Sequence, residues 1–238
     1  MKKIILSILF VVCLSFQASA LGPMMLLSGS GCLNVNDDFT GDDASAPNAT
    51  RWTQAGATHM KIYSNKLNFN IADTITYTSS VTSKWTFPAS TNFDVQVDFD
   101  VTILDAPESG NNYAAYLGIT GGGLHSEIAR YRSATINGYY SSGSGGPYNE
   151  EAQADASGQL RITQTGCPGA CVVTTYMWDS VSERWEWFTD DPLGDVRDED
   201  YTDEAITVKL LFSKMATSGS TTVDSNMDNF VVNSGCAK

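Results

Sequence analysis

The chain has 238 residues, 42% of them hydrophobic, with 27 acidic against 14 basic side chains and a formal net charge of −13. That balance repels phosphate backbones and anionic membrane surfaces and argues against nucleic acid as a partner. The apolar run from Ile4 to Phe16 is shorter than the roughly 20 residues a spanning helix needs, and no later stretch approaches it, so membrane insertion is not expected either.

Residues 1–20, MKKIILSILFVVCLSFQASA, combine two lysines, an apolar run and the small triplet Ala18-Ser19-Ala20. This is the three-part layout of a secretory signal peptide cleaved after Ala20, so an extracellular or periplasmic location is expected. Loss of Lys2 and Lys3 with it takes the formal charge from −13 to −15. Residues 21–31, LGPMMLLSGSG, lack periodicity and read as a lead-in segment. Residues 32–238 are long enough for one sizeable core and read as one domain. Cys13 departs with the signal, which leaves four cysteines free to pair in an oxidising compartment.

From there the signal is period-two alternation in short runs rich in β-branched and aromatic residues. The runs are KLNFNI (66–71), SKWTF (83–87), FDVQVDFDV (93–101), YAAYLGI (113–119), ATINGYY (134–140), QLRITQ (159–164), VVTTYMW (172–178), RWEWF (184–188), AITVKLLF (205–212) and MDNFVV (227–232). In the clearest of them, Phe93, Val95, Val97, Phe99 and Val101 share one face while Asp94, Gln96, Asp98 and Asp100 share the other. That is a half-buried antiparallel strand. The glycine-rich stretches 121–123 and 141–147 lack the Lys-Ser/Thr pair of a phosphate loop and read as connections. Many short strands with no helical pattern between them predict an all-β fold, a two-sheet antiparallel β-sandwich of jelly-roll type.

Asp37-Asp38-Phe39, Trp52, Lys66-Leu67-Asn68-Phe69, the strand from Phe93 and the closing Met227-Asp228-Asn229-Phe230-Val231-Val232 form a recurring pattern. It resembles the concanavalin A-like lectin/glucanase superfamily in its laminin-G-like and secreted bacterial versions. The resemblance implies that the first and last strands lie side by side, with Phe39 near Phe230. It also implies a structural Ca²⁺ near these termini, for which Asp37, Asp38 and Asp228 would supply carboxylate oxygens. The superfamily includes lectins, carbohydrate-binding modules, glycoside hydrolases, polysaccharide lyases and adhesion domains, so the resemblance speaks to fold more than to function.

Retaining glucanases of that superfamily carry Glu-x-Asp-x-x-Glu on one strand, and no such string occurs here. Glu183 and Glu186 stand three apart, which on a regular strand points them to opposite faces. His125, Glu127, Arg130, Tyr131 and Arg132 offer the ingredients of a lyase site without its arrangement. The acidic run 189–204 fails the spacing of a calcium-binding EF-hand loop and reads as a solvated loop.

What remains is binding. In YMWDSVSERWEWF (176–188), Tyr176 and Trp178 share one strand face and Trp185 and Trp187 share another. One of these two sets is expected to pack in the core and the other to meet solvent, where rings stack on pyranose faces. Tyr139 and Tyr140, beside the second glycine-rich stretch, are expected to help line the groove. The expectation is a secreted, non-catalytic domain that binds a glycan or extracellular polymer. A polysaccharide-degrading enzyme using Glu127, Glu183 or Glu186, and an adhesion protein binding another protein, stand as alternatives.

The tight Pro168-Gly169 turn lets Cys167 reach Cys171. Cys32 and Cys236 bracket the domain and would clasp its two ends if the first and last strands are neighbours.

Overall fold

A strand with one apolar face is stable only when that face meets another, and the chain meets this need with two stacked antiparallel sheets. The computed structural model describes residues 32–56, 59–73, 76–103, 112–121, 124–133, 137–143, 149–152, 157–167, 169, 171–180, 182–187, 195–197, 205–215 and 221–235. Among these, every regular element is a strand. In chain order they are β1 (Leu33–Asp37), β2 (Trp52–Gly56), β3 (Met60–Tyr63), β4 (Lys66–Asp73), β5 (Tyr77–Ser83), β6 (Phe87–Pro88), β7 (Phe93–Ile103), β8 (Asn112–Gly121) and β9 (Leu124–Ser133). Then come β10 (Asn137–Gly143), β11 (Asn149–Ala152), β12 (Ser157–Thr165), β13 (Cys171–Asp179), β14 (Arg184–Trp187), β15 (Asp195–Arg197), β16 (Ala205–Met215) and β17 (Thr221–Ser234).

The nine-stranded sheet runs β14-β13-β12-β7-β17-β4-β3, with β1 on β17 and β15 on β13. The eight-stranded sheet runs β11-β10-β9-β8-β16-β5-β2, with β6 on β16. Their inner faces meet in one core. Val95, Val97, Leu160, Ile162 and Met227 project from the first sheet, and Leu117, Ile119, Ile128, Val208 and Leu210 from the second, all fully buried or nearly so. Phe69 of β4 stacks on Phe212 of β16 with ring centroids 5.3 Å apart.

Two hydroxyl pairs link the sheets across the core. The Tyr113 and Ser225 hydroxyls lie 2.5 Å apart, and those of Ser141 and Thr175 2.8 Å. Burial of Tyr113 drives its phenol far above the ordinary range, so it stays neutral.

Local chemistry fixes the ends of the strands. Ser64 and Asn65 both take positive φ, 51° and 58°, in the two-residue turn that reverses β3 into β4. Gly56 sits at φ 87° with the Thr78 carbonyl oxygen 2.2 Å from where a Cβ would stand, so only glycine fits there.

The expected strand over 83–87 divides. The Ser83 hydroxyl donates to the Trp85 carbonyl at 2.8 Å and bends the chain out of β5 before β6 begins. Asp195–Arg197, inside the acidic run expected as a loop, instead forms a strand paired to β13.

The chain ends do lie side by side. Leu33 pairs with Ser234 and Asp37 with Phe230, while Phe39 and Phe230 both pack on Trp52, with ring centroids 5.9 and 5.2 Å away. Cys167 and Cys171 form a disulfide. Cys32 is disulfide-bonded as well, and Cys236 lies outside the described residues. The signal peptide and lead-in segment also lie outside them.

Candidate functional site on the outer face of the nine-stranded sheet

Alternation on β13 places Val173, Thr175 and Met177 inward and Tyr176 and Trp178 outward. The β13–β14 register sets Tyr176 opposite Trp187 and Trp178 opposite Trp185. Residues directly opposite in an antiparallel pair lie on the same face. The expectation that one aromatic pair faces the core is therefore corrected, because both pairs belong to the outer face. Trp187 holds this position by backbone register, its side chain lying outside the described set.

These rings are not equivalent. Arg161 of β12 forms a bidentate pair with Asp94, Nε to Oδ1 at 2.9 Å and Nη2 to Oδ2 at 2.6 Å. Its guanidinium then lies 5.6 Å from the Tyr176 ring centre and 5.1 Å from that of Trp185, within cation–π range. Tyr176 and Trp185 thus serve as seats for Arg161. Trp178 meets Trp185 edge-on at 5.5 Å and lines a depression of about 550 Å³ together with Gln159, Asp98, Asp228, Asn229 and Lys66.

The register aligns these residues in a row across the strands. Trp185 faces Trp178, Gln159 faces Asp98, and Asp98 faces Asp228. Lys66 follows one residue beyond the Met227–Leu67 pair, and Tyr63 faces Lys66. Both Asp98 oxygens accept amide donors, from Gln159 Nε2 at 2.7 Å and Asn229 Nδ2 at 2.8 Å. Asn229 reaches Asp98 because β17 carries a bulge between Asp228 and Val231 and Asn229 adopts φ 48° there.

Burial pushes the Asp228 carboxyl above the usual carboxylate range, and the nearby Asp98 and Asp38 charges push the same way. The Asn229 backbone N–H and Lys66 offset part of this. A carboxyl that holds its proton to higher pH in the folded state than in the unfolded one destabilises the fold above its native pKa and has no effect below both values. Asp228→Asn is therefore expected to raise the melting temperature at pH 7, with the gain vanishing as pH falls through the ordinary carboxylate range. Thermal scans from pH 3 to 7 check this, and an equal gain at every pH would contradict it.

The other expected residues are dispersed. Tyr139 is fully buried between the sheets, its ring edge-on to Phe99 and beneath the Arg130 guanidinium. It is a core residue and lines no groove. Tyr140 is almost as buried, packed with Ala114, Ala129, Tyr116 and Tyr131 on the outer side of the eight-stranded sheet.

Asp37 has both carboxylate oxygens engaged within the fold. Its Oδ1 accepts the Phe39 N–H at 2.9 Å and its Oδ2 the Trp52 indole N–H at 2.7 Å, so the carboxylate ties the aromatic cluster to β1. Asp38 is exposed and Asp228 lines the groove. Among the described residues no group of three or more His, Cys, Asp or Glu is arranged to hold a metal ion.

The lyase ingredients are split between two faces. His125 and Glu127 pair at 3.6 Å on the outer side of β9, while Arg130 turns inward and donates to the Gly138 carbonyl at 2.9 Å. On β9 the outer positions after Glu127 are Ala129 and Tyr131, so no second carboxylate follows it on that face. Glu183 is exposed, and Glu186 accepts from Arg184 at 2.9 Å.

No protein-family model and no curated protein matches the sequence. Among solved structures, an endo-1,3-beta-glucanase from Streptomyces sioyaensis is similar at TM-score 0.59 and 12% identity, over 87% of this chain and 97% of that one. Lectin II from Ulex europaeus is similar at TM-score 0.54 and 10% identity, over 85% and 98% of the two chains. The basic winged bean lectin gives TM-score 0.53 and 8% identity, over 86% and 98%. The chain thus has the concanavalin A-like β-sandwich fold, which serves both sugar-binding and sugar-cleaving proteins.

Proposed function

We propose that this is a secreted, non-catalytic carbohydrate-binding protein whose glycan lies on the outer face of the nine-stranded sheet. The observation that carries the reading is Trp178, half-buried at the end of a groove floored by Gln159, Asp98, Asp228 and Asn229. An indole wall beside fixed amides and carboxylates matches a sugar, whose ring has an apolar face and a hydroxyl rim. The non-catalytic reading is supported by the surroundings of the three glutamates considered for catalysis, Glu127 beside His125, Glu186 on Arg184, and Glu183 exposed without a carboxylate partner opposite it among the described residues. Secretion is supported by the Cys167–Cys171 disulfide, which persists in oxidising compartments.

Affinity electrophoresis through gels of neutral, amino-sugar and uronate polysaccharides, run beside a reducing-end release assay, tests this. Retardation without release of ends is expected. Trp178→Ala is expected to weaken retardation several-fold, corresponding to about 1 kcal/mol of ring stacking, while leaving the melting transition cooperative. Release of reducing ends, or binding indifferent to Trp178, would refute it.

A further inference from the structure

The Trp178 groove does not stand alone. A second depression of about 800 Å³ adjoins it on the same sheet face and shares Lys66 and Asn226 with it. Its far wall is Tyr63 of β3, among the few large apolar side chains left exposed, with His59 and Lys61 beside it. Sequence reading missed this end, because Tyr63 precedes a polar turn and neighbours Trp178 only through the strand order.

The floor between the two rings is already organised. Asn68 Nδ2 donates to Asp224 Oδ1 and Asn226 Oδ1, each at 2.8 Å, as Gln159 and Asn229 do to Asp98. These side chains are held before any ligand arrives, which lowers the ordering cost of binding.

From β13 to β3 there are five strand-to-strand steps, at roughly 4.8 Å each about 24 Å in all. A single sugar cannot occupy that length, and a site built for a chain terminus has no use for a second aromatic wall so far away. The lining of the two depressions carries amides, the four carboxylates Asp98, Asp100, Asp224 and Asp228, and two lysines, Lys61 and Lys66, with His59 beside them, so carboxylates outnumber the lysines two to one. In a chain of net charge −13 it suits hydroxyl-rich, uncharged sugars and repels polyanions.

We propose that the two depressions form one track for the interior of an uncharged polysaccharide, which crosses the strands from Trp178 to Tyr63. The proposal rests on the Trp178 groove being the glycan site and adds to it the chain length, the direction and the charge class of the ligand.

The test takes the neutral polysaccharide that retards the protein, cuts it into a ladder from disaccharide to octasaccharide, and measures each rung by titration calorimetry. Affinity is expected to climb by at least tenfold between disaccharide and hexasaccharide. Tyr63→Ala is expected to remove most of that climb. Met215→Ala, an exposed change on the other sheet, is expected to leave it intact, and polygalacturonate is expected not to bind. Affinity that is flat beyond the disaccharide, or a climb untouched by Tyr63→Ala at an unchanged melting temperature, would overturn the track while leaving the Trp178 site standing. Retardation by amino-sugar or uronate polysaccharides alone would overturn the track while leaving the glycan reading standing, and failure of every polysaccharide to retard the protein would overturn both.

Discussion

Trp52→Ala is expected to cost the fold about 3–5 kcal/mol, the usual range for removing a large buried aromatic. The indole is nearly fully buried and touches Phe39, Trp85 and Phe230 with ring centroids 5.9, 6.1 and 5.2 Å away, so truncation opens a cavity among three rings. It also removes the N–H donor at 2.7 Å from Asp37 Oδ2 and leaves a buried carboxylate oxygen with only Arg51, at 3.6 Å, nearby. Trp52→Phe separates the two effects, since it keeps most of the ring and deletes the donor, for about 1–3 kcal/mol. Urea denaturation of the three proteins checks this. A loss below 1 kcal/mol for Trp52→Ala would mean that the aromatic cluster does not hold β1 to β17.

Cys32→Ser is expected to have an effect of similar size. Cys32 is disulfide-bonded, Cys167 and Cys171 are bonded to each other, and Leu33 pairs with Ser234. We propose Cys236 as its partner, because antiparallel continuation of that register carries Gly235, the residue before Cys236, opposite Cys32. A bridge there would close a loop running from residue 32 to residue 236, for which the loop-entropy model gives roughly 4–5 kcal/mol as an upper expectation. Cys236→Ser should reproduce the loss and Cys13→Ser should not. Non-reducing peptide mapping gives the direct answer, and a peptide joining Cys32 to any cysteine but Cys236 would refute the clasp.

The strands were legible wherever one face is apolar and the other polar. FDVQVDFDV became β7 with Val95, Val97 and Phe99 buried, as alternation required. VVTTYMWD was legible as a strand but not as to which way it faces, because both of its faces carry apolar side chains. The decision comes from Arg161, which is far away in sequence and holds Tyr176 and Trp185 outside by stacking on them. Strand β9 escaped notice because Arg130 occupies an inward position, where backbone carbonyls invisible to composition satisfy its guanidinium. The groove was the least legible feature. Gln159, Asp98, Asp228 and Lys66 read as surface polar residues until the register brings them together.

Strand β17 has a consequence for how the molecule forms. It holds the middle of the nine-stranded sheet, with β7 along one side and β4 followed by β1 along the other. Asn68 binds groups on β17 more than 150 residues later in the chain. Until residues 221–234 have been synthesised, β4 and β7 present open edges with nothing between them, so the sheet cannot close on a growing chain. Pairings this distant make folding slow. The nine-stranded sheet therefore closes late, once β17 has been made, and not strand by strand in chain order.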